Sequence, residues 1–522
     1  MVYSLSSVHL VLVRHFSILL SVGANDVANA FATSVGSGAL SLGTAIVIAA
    51  IMEFSGAFLL GGNVASTIMK GIANTEDFAD QPEVLMFGMM CVVIGVAAWL
   101  IIATMYGLPV STTHSCIGGI VGMTVVAKGM KSVKWGQVGL VALSWLVTPV
   151  LSALLSTCIF WCVRKFILRQ NEPLKKAYAS YPNIVGFTIA LNLFLVLFKS
   201  STLNISLPWW GTALICLAIG VVISLILQFT FMPYVKRKIA KEMERENDEI
   251  AIKNTSVEIE MVEKSDEVPV VVIQSEVKEG EKSAPTTESA PAEESAPAVE
   301  GEVKIDNLPT DAKKSTKMDQ LKEKQNIHAE LEDEKSKVYQ MHKNAEVFDP
   351  STEKLFTYLQ IITAIFNSFA HGANDVANAI GPFAACIAIY NTGSATAEAT
   401  VYTGVLVLGG FGIVVGLACL GYKVMASIGV NMVKITPSRG FSIEIGSALI
   451  VLIGSALSYP LSTTHCKVGS TVGVGLVEGK NGVNWSLLYG VFAGWIITIV
   501  ICAITTGLLF AFAVYSPKLL SL

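Results

Sequence analysis

The chain has 522 residues, 52% of them hydrophobic and 15% charged, with a mean hydropathy of +0.60 and a formal net charge of −4. Soluble globular proteins usually carry about 25% charged residues, so the composition excludes an ordinary soluble enzyme. The net charge says little by itself because it is unevenly distributed, and no nucleic-acid partner is expected. What fits is an all-α polytopic protein embedded in a lipid bilayer.

In chain order, residues 1–235 read as a first transmembrane part. No basic n-region leads into a clean apolar core, so no cleavable signal peptide is expected; Arg14 and His15 stand mid-segment instead. GANDVANA follows at 23–30, planting Asn25, Asp26 and Asn29 in apolar sequence. Ionisable groups at membrane depth are costly and by default mark a transport path or coupling-ion site. Asn25 and Asn29, four apart, are expected on one helix face beside Asp26, and Gly23 suits a helix break. Another acid, Glu53, lies in IMEFSGAFLLG.

PVSTTH at 109–114 sets Pro109 ahead of Ser111, Thr112, Thr113 and His114. A half-helix opening here inside the membrane would present free N–H groups and a positive dipole end, an anion site to which the hydroxyls add donors. The apolar runs Leu85–Met105, Val138–Val163 and Gly211–Met232 are near the length that crosses a bilayer. Basic clusters at Arg164, Lys165, Arg169, Lys175 and Lys176 and at Lys236, Arg237, Lys238 and Lys241 bracket two apolar segments. Both clusters then face one side, cytoplasmic by the positive-inside rule.

Residues 236–352 read as a linker. Of the 40 acidic residues, 28 lie between Glu242 and Asp349, and SAP recurs at 283–285, 289–291 and 295–297. Such sequence cannot bury enough apolar surface to offset its ordering entropy. A disordered acidic cytoplasmic loop is expected, with a weak helical or strand-like patch at 268–273.

Residues 353–522 return to transmembrane character and repeat the first part. GANDVANA recurs at 372–379 with Asn374, Asp375 and Asn378, offset by 349; PLSTTH at 460–465 brings Ser462, Thr463, Thr464 and His465, offset by 351. VKW (133–135) recurs as VNW (483–485), Trp145 as Trp495, and Gly118 and Gly122 as Gly469 and Gly473. The chain is an internal duplication. Arg439, in TPSRG just before Glu444, could pair with an acid or meet an anion. The nine cysteines fall in apolar segments without CxxC spacing and read as small buried residues.

Asp26, Glu53, Asp375 and Glu444 are the four acids set in apolar, glycine-rich sequence. Amide oxygens beside a carboxylate are hard ligands suited to a small cation such as Na⁺. An anion can sit beside such acids only if cations or protons enter with it, which is the logic of symport. A single Asn or Ser in a membrane helix is ordinarily interhelical glue, and a lone His ordinarily a packing partner, but these occur as duplicated sets. A Ser-His-Asp hydrolase needs one triad, not two, and no G-x-S-x-G elbow is present.

GANDVANA and P-x-STTH once in each half, with ITPSRGFSIE at 435–444, resemble the inorganic phosphate transporter (PiT) family. The resemblance covers about residues 22–232 and 355–515. It implies two inverted-repeat halves, roughly ten to twelve transmembrane helices with broken or re-entrant helices at the midplane, and a large cytoplasmic loop. It implies phosphate held by Ser111, Thr112, Thr113, Ser462, Thr463 and Thr464 with Asp26 and Asp375. Na⁺ would be held by Asn25, Asp26, Asn29, Asn374, Asp375 and Asn378. Glu53 and Glu444 match further functional acids, with Arg439, His114 and His465 beside them. The activity implied is phosphate symport with Na⁺, or H⁺ as second choice, and no other cofactor. The setting is most naturally the plasma membrane, and a homodimer is compatible. The alternatives are another oxyanion such as sulfate, or a non-transporting phosphate sensor. The first helix departs from the family's apolar pattern at Arg14 and His15.

Overall fold

The computed structural model describes residues 20–199, 207–245, 248, 326–396, 403–457, 459 and 461–519, without the side chains of 60–70, 199, 376–379, 403–404, 406–408 and 517–519. Arg14, His15, the SAP repeats and the 268–273 patch lie outside the described residues, as does the side chain of Asn378.

Regular structure among the described residues is helical. The chain enters α1 (Ala28–Gly36) through a π-helical turn, Gly23–Val27. Next come α2 (Leu42–Ile72) and α3 (Pro82–Met105). Gly107, at φ +64°, turns the chain out of α3, a conformation that costs a residue without Cβ little. Ser111 then caps α4 (Thr112–Lys128), and α5 (Trp135–Val163) completes the first set. α6 (Pro173–Lys199) and α7 (Trp209–Ile226) follow. Beyond the linker stand α8 (Lys337–Asn344), α9 (Pro350–His371), a second π-helical turn at Gly372–Val376, and α10 (Ala377–Thr392). The chain ends with α11 (Thr403–Ala426), α12 (Pro437–Ala456), α13 (Thr463–Leu476) and α14 (Trp485–Leu519).

Eight helical stretches among the described residues are long and apolar enough to cross a bilayer. Their outward faces carry large apolar side chains such as Leu146, Val221, Ile496 and Phe512, which suits lipid contact. By contrast α4 and α13 have 17 and 14 residues, about 25 and 21 Å at 1.5 Å per residue. Neither reaches across a core of roughly 30 Å, so both are the short helices that the P-x-STTH motifs lead one to expect.

The halves interlock in one compact unit. α4 of the first half packs on α14 of the second, and α13 of the second packs on α5 of the first. Glycine makes both contacts possible. A Cβ on Gly118 would stand 2.7 Å from the Ile499 carbonyl oxygen and one on Gly122 2.0 Å from that of Ala503; Gly469 and Gly473 meet Pro149 and Ala153 in the same way at 2.3 and 2.5 Å. Because the contacts advance together along both chains, each pair of helices runs parallel. The backbone repeats the relation elsewhere: Lys134 N donates to Ile72 O and Asn484 N to Met432 O, both at 2.9 Å.

The expected linker boundaries move inward. Helix from α7 continues to Arg245, and residues 326–349 are packed rather than loop-like: Ile327, Val338 and Met341 are buried in the core. His328 Nε2 meets Gly36 O at 3.0 Å, and His342 Nε2 meets Val430 O at 2.9 Å. Composition averaged over the whole linker hid this short apolar pattern at its end.

Candidate functional site

The two π-helical turns coincide with the two GANDV strings. A π turn adds a residue to the helical circuit, and such turns recur at functional sites. This corrects one expectation. The helix does not break at Gly23; it continues, with Gly23 so close to Ile413 that a Cβ would lie 1.9 Å from its carbonyl oxygen. Asn25 and Asn29, four residues apart, have different partners. Asn25 donates to Thr104 Oγ1 and Leu108 O at 3.0 Å and accepts from Val110 N at 3.0 Å. It clamps the segment leading into α4. Asn29 instead donates to Asp26 Oδ1 at 3.2 Å and Thr464 Oγ1 at 2.9 Å.

Ser111 and Ser462 cap α4 and α13, accepting from His114 N at 3.3 Å and His465 N at 3.2 Å. The capped tips meet: Thr113 Oγ1 donates to Leu461 O at 3.2 Å, and Thr464 Oγ1 to Val110 O at 3.3 Å. The carboxylates sit at this junction. Thr112 Oγ1 makes a short bond to Asp26 Oδ2, and Thr463 Oγ1 a short bond to Asp375 Oδ2. Each acid also draws on the other half, Asp26 through Thr464 Oγ1 at 2.7 Å and Asp375 through Thr113 Oγ1 at 3.4 Å. Asp26, His371 and Asp375 offer ligand atoms within 4.8 Å of one another, all buried.

Glu53 belongs to the same cluster. Its Oε2 lies 2.8 Å from His371 Nδ1 and its Oε1 accepts from Ser368 Oγ at 2.9 Å, while His371 Nε2 lies 3.3 Å from Asp375 Oδ2. Glu444 is held apart in a cage. Its Oε1 accepts from Thr33 Oγ1 at 2.7 Å, from Gln360 Nε2 at 3.2 Å and by a short bond from Ser34 Oγ; its Oε2 accepts from Thr363 Oγ1 at 2.6 Å.

Arg439 does not reach Glu444 or an anion site. It pairs closely with Glu478 and donates to Thr436 Oγ1 at 3.1 Å and Glu346 O at 2.8 Å, tying α12 to the end of the linker. His114 and His465 face each other with ring centroids 4.6 Å apart, backed by Trp145 at 4.6 Å and Trp495 at 3.6 Å. They bond no carboxylate among the described residues. Sequence reading passed over Thr33, Ser34, Gln360 and Thr363, whose only signal was a polar side chain on the helical stretch beside a motif.

Two buried amide oxygens, Asn29 Oδ1 and Asn374 Oδ1, lack a hydrogen-bond donor among the described residues; Asn29 bonds Asp26, and Asn374 donates to Leu461 O at 3.2 Å just before α13. A buried acceptor left unmatched costs about 1–3 kcal/mol, and a cation is the partner that carboxylates and amide oxygens together suit. The arrangement thus combines hydroxyl-bearing helix N-termini that suit an anion with acceptor oxygens that suit a cation.

A profile of the phosphate transporter family matches residues 22–506. The chain is 31% identical to sodium-dependent phosphate transporter 1 of Rattus norvegicus, over 94% of this chain and 92% of that protein. It is also 31% identical to a phosphate-repressible phosphate permease of Neurospora crassa, over 95% of each. A solved structure described as the sodium-dependent phosphate transporter superposes with a TM-score of 0.68 at 29% identity, covering 96% of this chain and 97% of that one.

Proposed function

The chain belongs to the phosphate transporter family, and from that premise we propose that it is a Na⁺-coupled phosphate symporter working by alternating access. The family moves phosphate; it is not one of enzymes. The reading rests above all on Asn29 Oδ1, a buried acceptor without a donor among the described residues on the side chain that bonds Asp26, with Asn374 Oδ1, next to Asp375 in the chain, in the same condition. Na⁺ at Asp26, Asn29, Asn374 and Asp375 would satisfy them, and Na⁺ dependence in the names of the relatives points the same way.

Phosphate would then take the hydroxyls of Thr112, Thr113, Thr463 and Thr464, which in this form are spent on the two carboxylates and on facing carbonyls. Sodium neutralises the carboxylates and frees those donors, so neither ion binds well alone. Coupling follows from that exchange. Ser111 and Ser462 act as helix caps that aim the N–H groups.

Two observations support inverted copies. The N-terminal tips of α4 and α13 meet head to head, and each short helix lies parallel to a long helix of the opposite half. Rocking of one interlocked set against the other would expose the junction to each side in turn. The basic clusters support a linker on the cytoplasmic side by the positive-inside rule, and the plasma membrane is the setting that goes with this reading. Phosphate uptake into proteoliposomes, with Na⁺ replaced by choline at two pH values, tests the coupling. Uptake should require Na⁺ at both; uptake driven by acid pH in choline would make the ion H⁺.

A further inference from the structure

The duplicated site is not electrically symmetric. Lys467 stands on α13 just past Thr463 and Thr464, and the residue at its repeat position in the first half is Cys116. The side chain is 2% exposed. Its Nζ donates to Thr33 Oγ1 at 3.4 Å, and Thr33 Oγ1 in turn donates to Glu444 Oε1 at 2.7 Å. Among the described residues no carboxylate oxygen lies within the 4.0 Å of an ion pair with this ammonium. A buried ammonium is costly unless its donors and charge are answered, and one bond to a hydroxyl uses one of its three N–H groups.

The remaining donors have a place to go. Lys467 lines a small cavity of about 10 Å³ together with Asn29, Asn367, His371, Ser447 and Thr463, room for roughly one oxygen-sized group. Thr463 and Asn29 are the residues that bond Asp375 and Asp26. The other fully buried cation, Arg439, is spent on Glu478, Thr436 and Glu346. Lys467 is therefore a buried ammonium with spare donors, facing Glu444 through Thr33, one helical turn from the hydroxyl tips.

We propose that Lys467 contacts the transported phosphate, donating to one of its oxygens through this cavity, so that the second half alone supplies a resident cation for the anion. The proposal rests on the phosphate-symport reading above. An ammonium-to-phosphate bond is charge-assisted, and its loss should appear in phosphate affinity rather than in sodium affinity.

The test uses the full chain in proteoliposomes, with Lys467→Gln and Lys467→Arg compared with wild type. K467Q should raise the KM for phosphate on the order of ten-fold or more, leave half-saturation by Na⁺ within about two-fold, and recover partly in K467R. A binding measurement stands beside it: phosphate added in Na⁺ should raise the melting temperature of the detergent-purified wild type and do so far less for K467Q. An unchanged phosphate KM with reduced kcat, or an undiminished phosphate-induced shift, overturns the proposal and makes Lys467 a packing residue. If K467Q does not fold, Lys467→Met carries the same two readouts. Failure of wild type to move phosphate at all would be a failure of the functional reading, visible separately.

Discussion

Replacing Asp26 by Asn keeps the shape of the side chain and removes one charge. The structure indicates what that costs. Both carboxylate oxygens accept, Oδ2 from Thr112 Oγ1 and from Thr112 N at 3.3 Å, Oδ1 from Asn29 Nδ2 at 3.2 Å and Thr464 Oγ1 at 2.7 Å. In either amide orientation one NH₂ faces donors. A hydroxyl can turn to accept, but Thr112 N–H and Asn29 NH₂ cannot, so about 1–3 kcal/mol of mismatch remains. The larger loss is electrostatic. A unit charge about 4 Å from Na⁺, at an effective dielectric constant near 20, is worth about 4 kcal/mol. That corresponds to roughly a thousand-fold in Na⁺ affinity, at 1.4 kcal/mol per factor of ten. Labelled-phosphate uptake, with surface biotinylation to count the protein, should show normal surface amounts and uptake near background at physiological Na⁺. D375N should behave likewise, since Thr463 and Thr113 hold it in the same way. The assignment of both acids is falsified if either variant transports at wild-type rate with a wild-type Na⁺ curve.

Other expectations separate function from packing. Asn25→Ala removes three hydrogen bonds around the segment before α4, each worth about 0.5–1.5 kcal/mol net; the melting temperature should fall while half-saturation by Na⁺ stays put, and a shifted Na⁺ curve would return Asn25 to the ion site. Gly469→Val places a Cβ where Pro149 O stands, 2.3 Å away, and overpacking of this kind costs about 1–3 kcal/mol or more; thermal unfolding and expression should both drop, and a wild-type melting curve would contradict the close parallel contact. Glu346, itself outside the membrane spans, pairs with Arg164 at the end of the α5 span and with Arg169 just beyond it. Burial alone would raise its pKa, but hydrogen bonds from Arg169 and Arg164 outweigh it and hold the carboxyl below the usual range. A depressed carboxyl stabilises above its unfolded pKa and loses that contribution as pH falls through the folded one. Wild type should therefore lose more stability than Glu346→Gln as pH drops below the ordinary glutamate range, and parallel melting curves would count against the linkage.

Much of the site was legible because membrane sequence is chemically sparse. Asp26, Glu53, Asp375 and Glu444 stand out from apolar surroundings, and all four are at most 1% exposed in the structure. The short helices at Thr112 and Thr463 followed from a Pro that ends the preceding helix, a local signal that needs no tertiary context; that Ser111 and Ser462 cap them was shown by the structure. Arg439 shows the limit of proximity in sequence: it lies five residues before Glu444 yet pairs with Glu478, 39 residues on.

The sequence by itself determined that the chain is a duplicated membrane transporter and which side chains carry charge into the bilayer, because burying a carboxylate is too costly to happen without purpose. Tertiary structure alone decided who faces whom. Asn25 holds the backbone segment before α4 while Asn29 stays with Asp26, a division of partners that spacing alone does not show. The interlocking of halves put Thr464 on Asp26 and Thr113 on Asp375, so each acid is completed by the other copy. That partnership spans 438 and 262 residues. It is set by the close approach of helices at glycines, a packing decision made in three dimensions.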